Sequence, residues 1–266
     1  LAFTENVTPE GRVFIFRDDT GIQKLHPFIT HPAVLTYGTS SDCDYQASEI
    51  APNQMGGYRF TVYQNTAHSS VRLVTVDLSV PGMHNVMNAL VTLGISHSLG
   101  LNLQSVVNSL TEFSGTSRRF DILGEVNRIT IIDDYAHHPT EIQATLQAAR
   151  SRYPGRKIWA IWQPHTFSRT KILFDEFKNS FTQADHVIVS QIYASREKDE
   201  GFSSSQVVDA MQHPDARYIA SLEDISDYLV ENLTSGDVML VFSAGDATKI
   251  SKDVLSRLTQ KEKQHE

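Results

Sequence analysis

Cysteine is almost missing from this chain: Cys43 is the single one in 266 residues. One thiol excludes an intramolecular disulfide framework and a cysteine-ligated zinc site. No apolar run approaches the roughly 20 residues that span a bilayer, and no signal peptide is recognisable, so the chain reads as soluble and cytoplasmic, with no membrane partner. Positive charge is scarce as well, with 23 Lys and Arg against 31 Asp and Glu and a net charge of −8. A nucleic-acid binder needs a basic face, so no nucleic-acid partner is expected, although a local pair such as Arg118-Arg119 can still attract a small anion. Neither GxxxxGK(S/T) nor GxGxxG occurs, so both common phosphate-cradling loops are absent. There are no internal repeats and no low-complexity linker. The opening LAFTENVTPEG has no initiator Met and reads as the interior of something longer.

What is present suffices for real cores. Apolar residues make up 40% and charged residues 20%, and 266 residues favour two domains. Strand-like runs at 12–17 and 33–37 are followed by TSSDCDYQASEI, GGYRFTVYQ and SVRLVTVDLSV, joined by polar turns, with a short weak helix between Gly21 and Ile29. This first part predicts α/β with an antiparallel appendage and an incomplete core. Pro81-Gly82 then turns the chain into a helix, HNVMNALVTLGISHSL, on which Met83, Met87 and Leu90 line one face and Asn85 and Asn88 another. LQSVVNSLTEF predicts a second helix. From about Ser117 strands and helices alternate. RITIID, KIWAIWQP, HVIVSQI, ARYIA and DVMLVF are the strands, and RTKILFDEFKNSFTQ and SLEDISDYLVENL are among the helices. Repeated β-α units predict a mostly parallel sheet with helices on both faces.

The densest chemistry lies at 128–141, RITIIDDYAHHPTE. A β-branched run ends at Asp133-Asp134, and Pro139 suits the first position of a helix, where its missing N–H has no partner to lose. Ile142, Leu146 and Ala149 share a helical face, and Tyr153-Pro154-Gly155 stops it. Asp133, Asp134, Tyr135, His137 and His138 therefore sit at a strand's carboxyl end, where open α/β sheets bind ligands, beside a helix start that favours anions. Three readings compete. Asp134 and His138 can simply cap a turn. His137 and Glu141, with the two aspartates, can approach a metal site of hydrolase type, but Pro139 breaks the helix between them, so no metal ligand is assigned. Five functional side chains on one turn favour the third, a nucleotide or substrate loop.

Three further places stand out. QPHTFSR at 163–169 puts His165, Ser168 and Arg169 just past another strand, where an arginine can grip a carboxylate. Arg118-Arg119 lies at the junction of the halves, a natural place for a phosphate clamp. Asn85 and Asn88, flanked by His84, read equally as helix-start caps or as donors and acceptors for a purine edge. SAGDATK at 243–249 follows a strand and opens a helix, but carries too little glycine to cradle phosphates alone.

PGMHNVMNAL at 81–90, SGTSRRFD at 114–121, DDYAHHPTE at 133–141, QPHTFSRT at 163–170 and SAGDATKIS at 243–251 together resemble the Mur ligase family in order and spacing. The resemblance is specific over 80–255 and looser over 1–80. It implies that 1–116 is the second half of a central ATP-binding domain whose P-loop half is missing, and that 117–266 is the carboxy-terminal Rossmann-like ligase domain. The implied reaction is ATP-dependent ligation of L-alanine to the carboxylate of UDP-N-acetylmuramic acid, through an acyl phosphate, in peptidoglycan precursor synthesis. The site would lie between domains that close. The UDP-binding domain, P-loop and Mg2+ ligands would lie in the missing part, so this piece alone would be inactive. By the same resemblance Asn85 and Asn88 contact adenine, with His84 near the nucleotide. Arg119, with Arg118 as the second candidate, contacts the γ-phosphate, and Asp134 binds the ribose hydroxyls. His137, His165 and Arg169 line the amino-acid side, with Arg119 and His137 in catalytic roles. Thr166 stands where some members place an arginine, which throws more of the grip on Arg169. Two alternatives stay open: the sister ligase that attaches a murein tripeptide, and a non-catalytic adenine-nucleotide-binding module. Exposed edges of the incomplete sheet invite a homodimer.

Overall fold

The computed structural model describes residues 1–198 and 201–265. The chain divides into two compact units, Leu1–Ser114 and Gly115–Glu266, against an expected boundary after residue 116.

In the first unit a short helix α1 (Ala2–Glu5) precedes β1 (Val13–Phe16), α2 (Thr20–Leu25) and β2 (Val34–Gly38). β3 (Tyr45–Pro52), β4 (Tyr58–Asn65) and β5 (Ser70–Asp77) follow, then the helices α3 (Met83–Ser98) and α4 (Leu103–Glu112). The five strands lie in sequence order, the first three parallel and the last three an antiparallel meander. The first-unit core sets Val86, Leu90 and Leu93 of α3 against Tyr45, Phe60, Val62 and Val76 of the sheet. Met83 departs from the expected face. It begins α3 and is 41% exposed, so the buried stripe starts one turn later, at Val86 and Met87. The stretch 39–50 is strand only from Tyr45, because Asp44 turns back to accept from Thr36 N–H at 2.7 Å.

The second unit runs β6 (Asp121–Val126), β7 (Ile129–Asp134), α5 (Pro139–Arg152), β8 (Ile158–Gln163), α6 (Phe167–Ile172), α7 (Phe174–Phe177) and β9 (His186–Val189). It finishes with α8 (Ser205–Ala210), β10 (Ala216–Tyr218), α9 (Leu222–Asn232), β11 (Val238–Ser243) and α10 (Thr248–His265). Strand order is β10-β9-β8-β11-β7-β6, parallel except for the β6–β7 hairpin. Two apolar layers cover the faces. One packs α5 through Ile142 and Leu146 against Trp162 and Phe242; the other packs α9 and α10 through Leu229, Ile250 and Val254 against Ile131 and Val241. The sheet is thus the expected one, with helices on both sides.

Two local expectations change. β6 was not expected from its sequence: Asn127 (φ 48°) and Arg128 (φ 61°) form a left-handed two-residue turn that folds 121–126 back onto β7. The helix expected over 169–183 breaks at Leu173 into α6 and α7, because Phe174 and Phe177 must turn inward onto the core containing Trp162. Among the described residues no helix is long and apolar enough to cross a membrane.

Candidate functional site

The final strand β11 inserts between β7 and β8, so three strand-to-helix loops open side by side at the carboxyl ends of the sheet. These are the loops after Asp134, after Gln163 and after Ser243, at the place where strand order reverses and α/β sheets take ligands.

Strand alternation sends the two aspartates to opposite faces. Asp133 is 3% exposed and accepts from Ser251 of α10. Asp134 is 8% exposed on the other face, where it accepts from Thr145 of α5 at 3.3 Å. They do not converge on one ion. Among the described residues no group of three His, Cys, Asp or Glu is arranged to hold a metal.

Asp134 fastens the loop. Its oxygens accept from Ala136 N–H at 2.7 Å and Phe120 N–H at 2.8 Å. Burial raises its pKa, and these hydrogen bonds, followed by the charge of Arg119, pull it back. A carboxylate offers about four lone-pair sites, so three protein donors leave room for one more. His138 caps α5: its Nδ1 accepts from Thr140 N–H at 3.3 Å, while Glu141 reaches back to the N–H groups of His137 and His138 at 3.0 and 3.1 Å. The cap reading therefore describes His138, and Glu141 is occupied by it.

His137 lies on the open side of this cap. The carbonyl of Tyr135, 3.0 Å from Nδ1, can only accept, so Nδ1 carries a hydrogen, and in the neutral ring the lone pair lies on Nε2. The His137 ring meets His165 edge-on at 6.3 Å. Nδ1 of His165 accepts from the Arg169 guanidinium at 3.4 Å, and its ring stacks on Tyr193 at 5.6 Å. Burial, then the charges of Arg169 and His137, lowers the pKa of His165 and keeps it neutral. His137, His165 and Arg169, expected together from their motifs, are brought together.

The arginine pair separates by role. Arg118 is left-handed (φ 61°), donates to the carbonyls of Ser243 and Gly245 at 2.6 and 3.4 Å, and lies over the Tyr135 ring at 4.7 Å. Its guanidinium thereby ties two of the three loops together. Arg119 points to solvent and is the member of the pair available to a ligand. The loop after β11 is no phosphate cradle. Gln163 Oε1 fills it, accepting from Ser243 Oγ at 2.7 Å and from the N–H groups of Asp246 and Ala247 at 3.0 and 3.1 Å. A Cβ on Gly245 would stand 2.6 Å from that oxygen. Gln163, Tyr193 and Glu197 had no assigned role from sequence; only their partners, distant along the chain, expose one.

In the first unit the cap of α3 is Gly82, not an asparagine. Asn85 donates to Pro81 C=O at 2.7 Å, and Asn88 is exposed one turn further on. His84, at the start of the same helix, is exposed. A separate cleft of about 410 Å³ is lined by residues of the first unit, among them Asp18 and the Arg17–Asp42 ion pair at 2.5 Å.

Asp133 supplies a prediction about stability. Burial raises its pKa from 3.8 to about 6. The folded state therefore holds this proton more tightly than the unfolded chain. Its stabilisation is fully present below about pH 4 and lost as pH rises through 6, leaving an ionised group that costs roughly 2–3 kcal/mol at neutral pH. Asp133→Asn keeps an acceptor for Ser251 and removes the charge. It is expected to raise stability at pH 7 by about 1–2 kcal/mol and to lose that gain near pH 4. Denaturant melts at both pH values measure this, and an equal effect at both would refute the burial account.

The second unit matches the model of the Mur ligase glutamate ligase domain over residues 118–245, and the first unit matches that of the Mur ligase middle domain over 1–96. The chain belongs to the Mur ligase family. It is 39% identical over 257 residues to the UDP-N-acetylmuramate–L-alanine ligase of Alkaliphilus metalliredigens, covering 96% of this chain and 54% of that protein. To the ligase of the same name from Clostridium acetobutylicum it is 40% identical over 258 residues, covering 96% and 55%. The solved UDP-N-acetylmuramate–alanine ligase of Thermotoga maritima superposes with a TM-score of 0.75 at 27% identity, over 94% of this chain and 52% of that one. A murein peptide ligase from Psychrobacter arcticus gives 0.67 at 25%, over 96% and 53%. The chain spans about half the length of the curated relatives it matches.

Proposed function

We propose that these 266 residues form part of an ATP-dependent amide-forming ligase that joins L-alanine to the carboxylate of UDP-N-acetylmuramic acid through an acyl phosphate, in peptidoglycan precursor synthesis. The observation that carries this reading is the convergence of His137, His165 and Arg169 at the strand ends, in a chain 39–40% identical to relatives named as L-alanine ligases.

The chemistry requires a carboxylate grip, a deprotonated amine and screening of phosphate charge. Arg169 commits one nitrogen to His165 and keeps other N–H donors for the carboxylate of alanine. In the neutral form of His137, whose Nδ1 hydrogen is held by Tyr135, Nε2 accepts the ammonium proton so that nitrogen can attack. Arg119, exposed beside Asp134, meets the γ-phosphate and the charge that develops on transfer. The fourth lone-pair site of Asp134 takes a ribose hydroxyl. His84, Asn85 and Asn88 present the start of α3 to the base. ATP supplies the phosphoryl group that activates the carboxylate. Mg2+ and a P-loop are assigned to sequence outside this chain, which contains no P-loop motif.

ATP-dependent phosphate release, with L-alanine or murein tripeptide as acceptor, tests the reading. It is measured on this chain and on a longer version joined to a P-loop-bearing half. Turnover with L-alanine is expected in the longer protein only. Within it, Arg169→Ala should raise KM for L-alanine by about 10–100-fold, the worth of a charge-assisted hydrogen bond, and leave KM for ATP unchanged. Turnover with the tripeptide alone would replace the acceptor, and turnover by the 266-residue chain would overturn the predicted inactivity.

A further inference from the structure

Thr166 is the N-cap of α6, yet it holds φ 70° and ψ 146°, and its own side chain makes no capping hydrogen bond. A β-branched residue with φ above zero is held there by its surroundings, and such strain collects at functional sites. Two contacts from the loop after β9 do the holding. Tyr193 N–H donates to Pro164 C=O at 2.8 Å and Thr166 N–H donates to Tyr193 C=O at 3.1 Å, a parallel bridge on either side of His165. Glu197 then performs the cap that Thr166 does not. Its carboxylate accepts from Ser168 N–H at 2.9 Å and from Ser168 Oγ. Thr170 Oγ1 donates to Thr166 C=O at 2.7 Å and fixes the other side of the same residue. Arg169 rides on the helix so started, and His165 precedes the strained residue, stacked on Tyr193.

We infer that Glu197 and Tyr193 are positioning residues of the acceptor side, latching the loop after β8 in a strained form that keeps His165 against Arg169. They touch no reacting atom; they set the distance between two groups that do. The consequence for the acceptor rests on the assignment of His165 and Arg169 to the amino acid made above. The latch itself does not.

The titration of His165 separates latch from charge by sign. Three charged or titratable groups act on it: Arg169 and His137 lower its pKa and Glu197 raises it, with burial as the largest influence downward. Removing the Glu197 charge alone must therefore lower the His165 pKa further. Releasing the latch must raise it, because the ring then leaves both burial and Arg169. Histidine-labelled NMR titrations of the 266-residue protein follow the ring directly. Glu197→Gln, whose amide oxygen still accepts from Ser168 N–H, should shift the titration down. Glu197→Ala should shift it up toward the ordinary value. The double variant Glu197→Ala, Thr166→Gly should return it downward, because glycine adopts φ near 70° without help. Circular dichroism confirms that each variant is folded. A downward shift of equal size in Glu197→Ala and Glu197→Gln, with no effect of Thr166→Gly, would overturn the latch. In the longer ligase, Glu197→Ala should raise KM for L-alanine roughly tenfold with KM for ATP unchanged, as expected when a positioned pair is loosened. An active ligase whose KM stays fixed while His165 moves upward would overturn the acceptor role of that pair and leave the latch standing.

Discussion

Asp134→Ala is expected to destabilise the second unit by about 2–4 kcal/mol, because a buried and a part-buried N–H donor lose their acceptor at roughly 1–3 kcal/mol each. Those donors are Ala136 and Phe120, and Thr145 loses a third contact. Phe120 is itself left-handed (φ 48°), so the carboxylate also holds strain in the segment that carries Arg119. Part of the loss is offset, since burial raises the pKa of Asp134 and its charged form is costly in place. Asp134→Asn keeps one oxygen but turns an NH2 toward a donor, and falls between wild type and alanine. Urea denaturation of the three proteins measures the order. A change under about 0.5 kcal/mol in the alanine variant would mean that water replaces the carboxylate. ATP titration then addresses the ribose: a folded Asp134→Asn protein of unchanged affinity would remove that contact from the reading.

Gly57→Ala is expected to destabilise the first unit by about 3 kcal/mol or more, at the upper end for overpacking. Gly57 needs no unusual backbone angle; it lacks space. A Cβ there would lie 2.0 Å from Leu78 C=O and 2.8 Å from Val80 C=O, and no rotamer change moves a backbone oxygen. The turn is pinned from three sides. Asn53 accepts from Gly57 N–H at 3.1 Å, donates to Gly57 C=O at 3.1 Å and sends its side-chain NH2 to Leu78 C=O at 2.8 Å. Relief requires moving the segment after β5, which leads into Pro81 and hence the carbonyl that Asn85 grips. The substitution should therefore lower the melting temperature and, on the proposed reading of Asn85, weaken adenine-nucleotide binding as well. Normal stability would show that the hairpin slides freely past residue 78.

The loop after β7 was legible because each of its signals is local. A β-branched run, a proline at the first helical position and an apolar stripe on the following helix fix strand, turn and helix without reference to distant residues. The motif after β8 brings His165 and Arg169 to the same strand ends as His137, but the break at Leu173 and the strain at Thr166 depend on distant partners. β6 was not legible, because its hairpin depends on two consecutive left-handed residues, Asn127 and Arg128, and arginine gives no such signal. Met83 was misplaced because the 3.6-residue period marks a face but not where burial begins.

By itself the sequence determined the alternation of strand and helix, the two units and the positions of the chemical motifs, since propensity and periodicity act within a few residues. Tertiary structure decided what those motifs do to one another. Inserting β11 between β7 and β8 laid the turn after Ser243 between the other two loops, so that Arg118 became a tie and Arg119 was left exposed. The same sheet sent Asp133 and Asp134 to opposite faces, and brought Glu197 to cap a helix that begins 30 residues before it. Such pairings are chosen by burial of whole faces and by satisfaction of backbone groups far apart in the chain, and no window of sequence contains both partners.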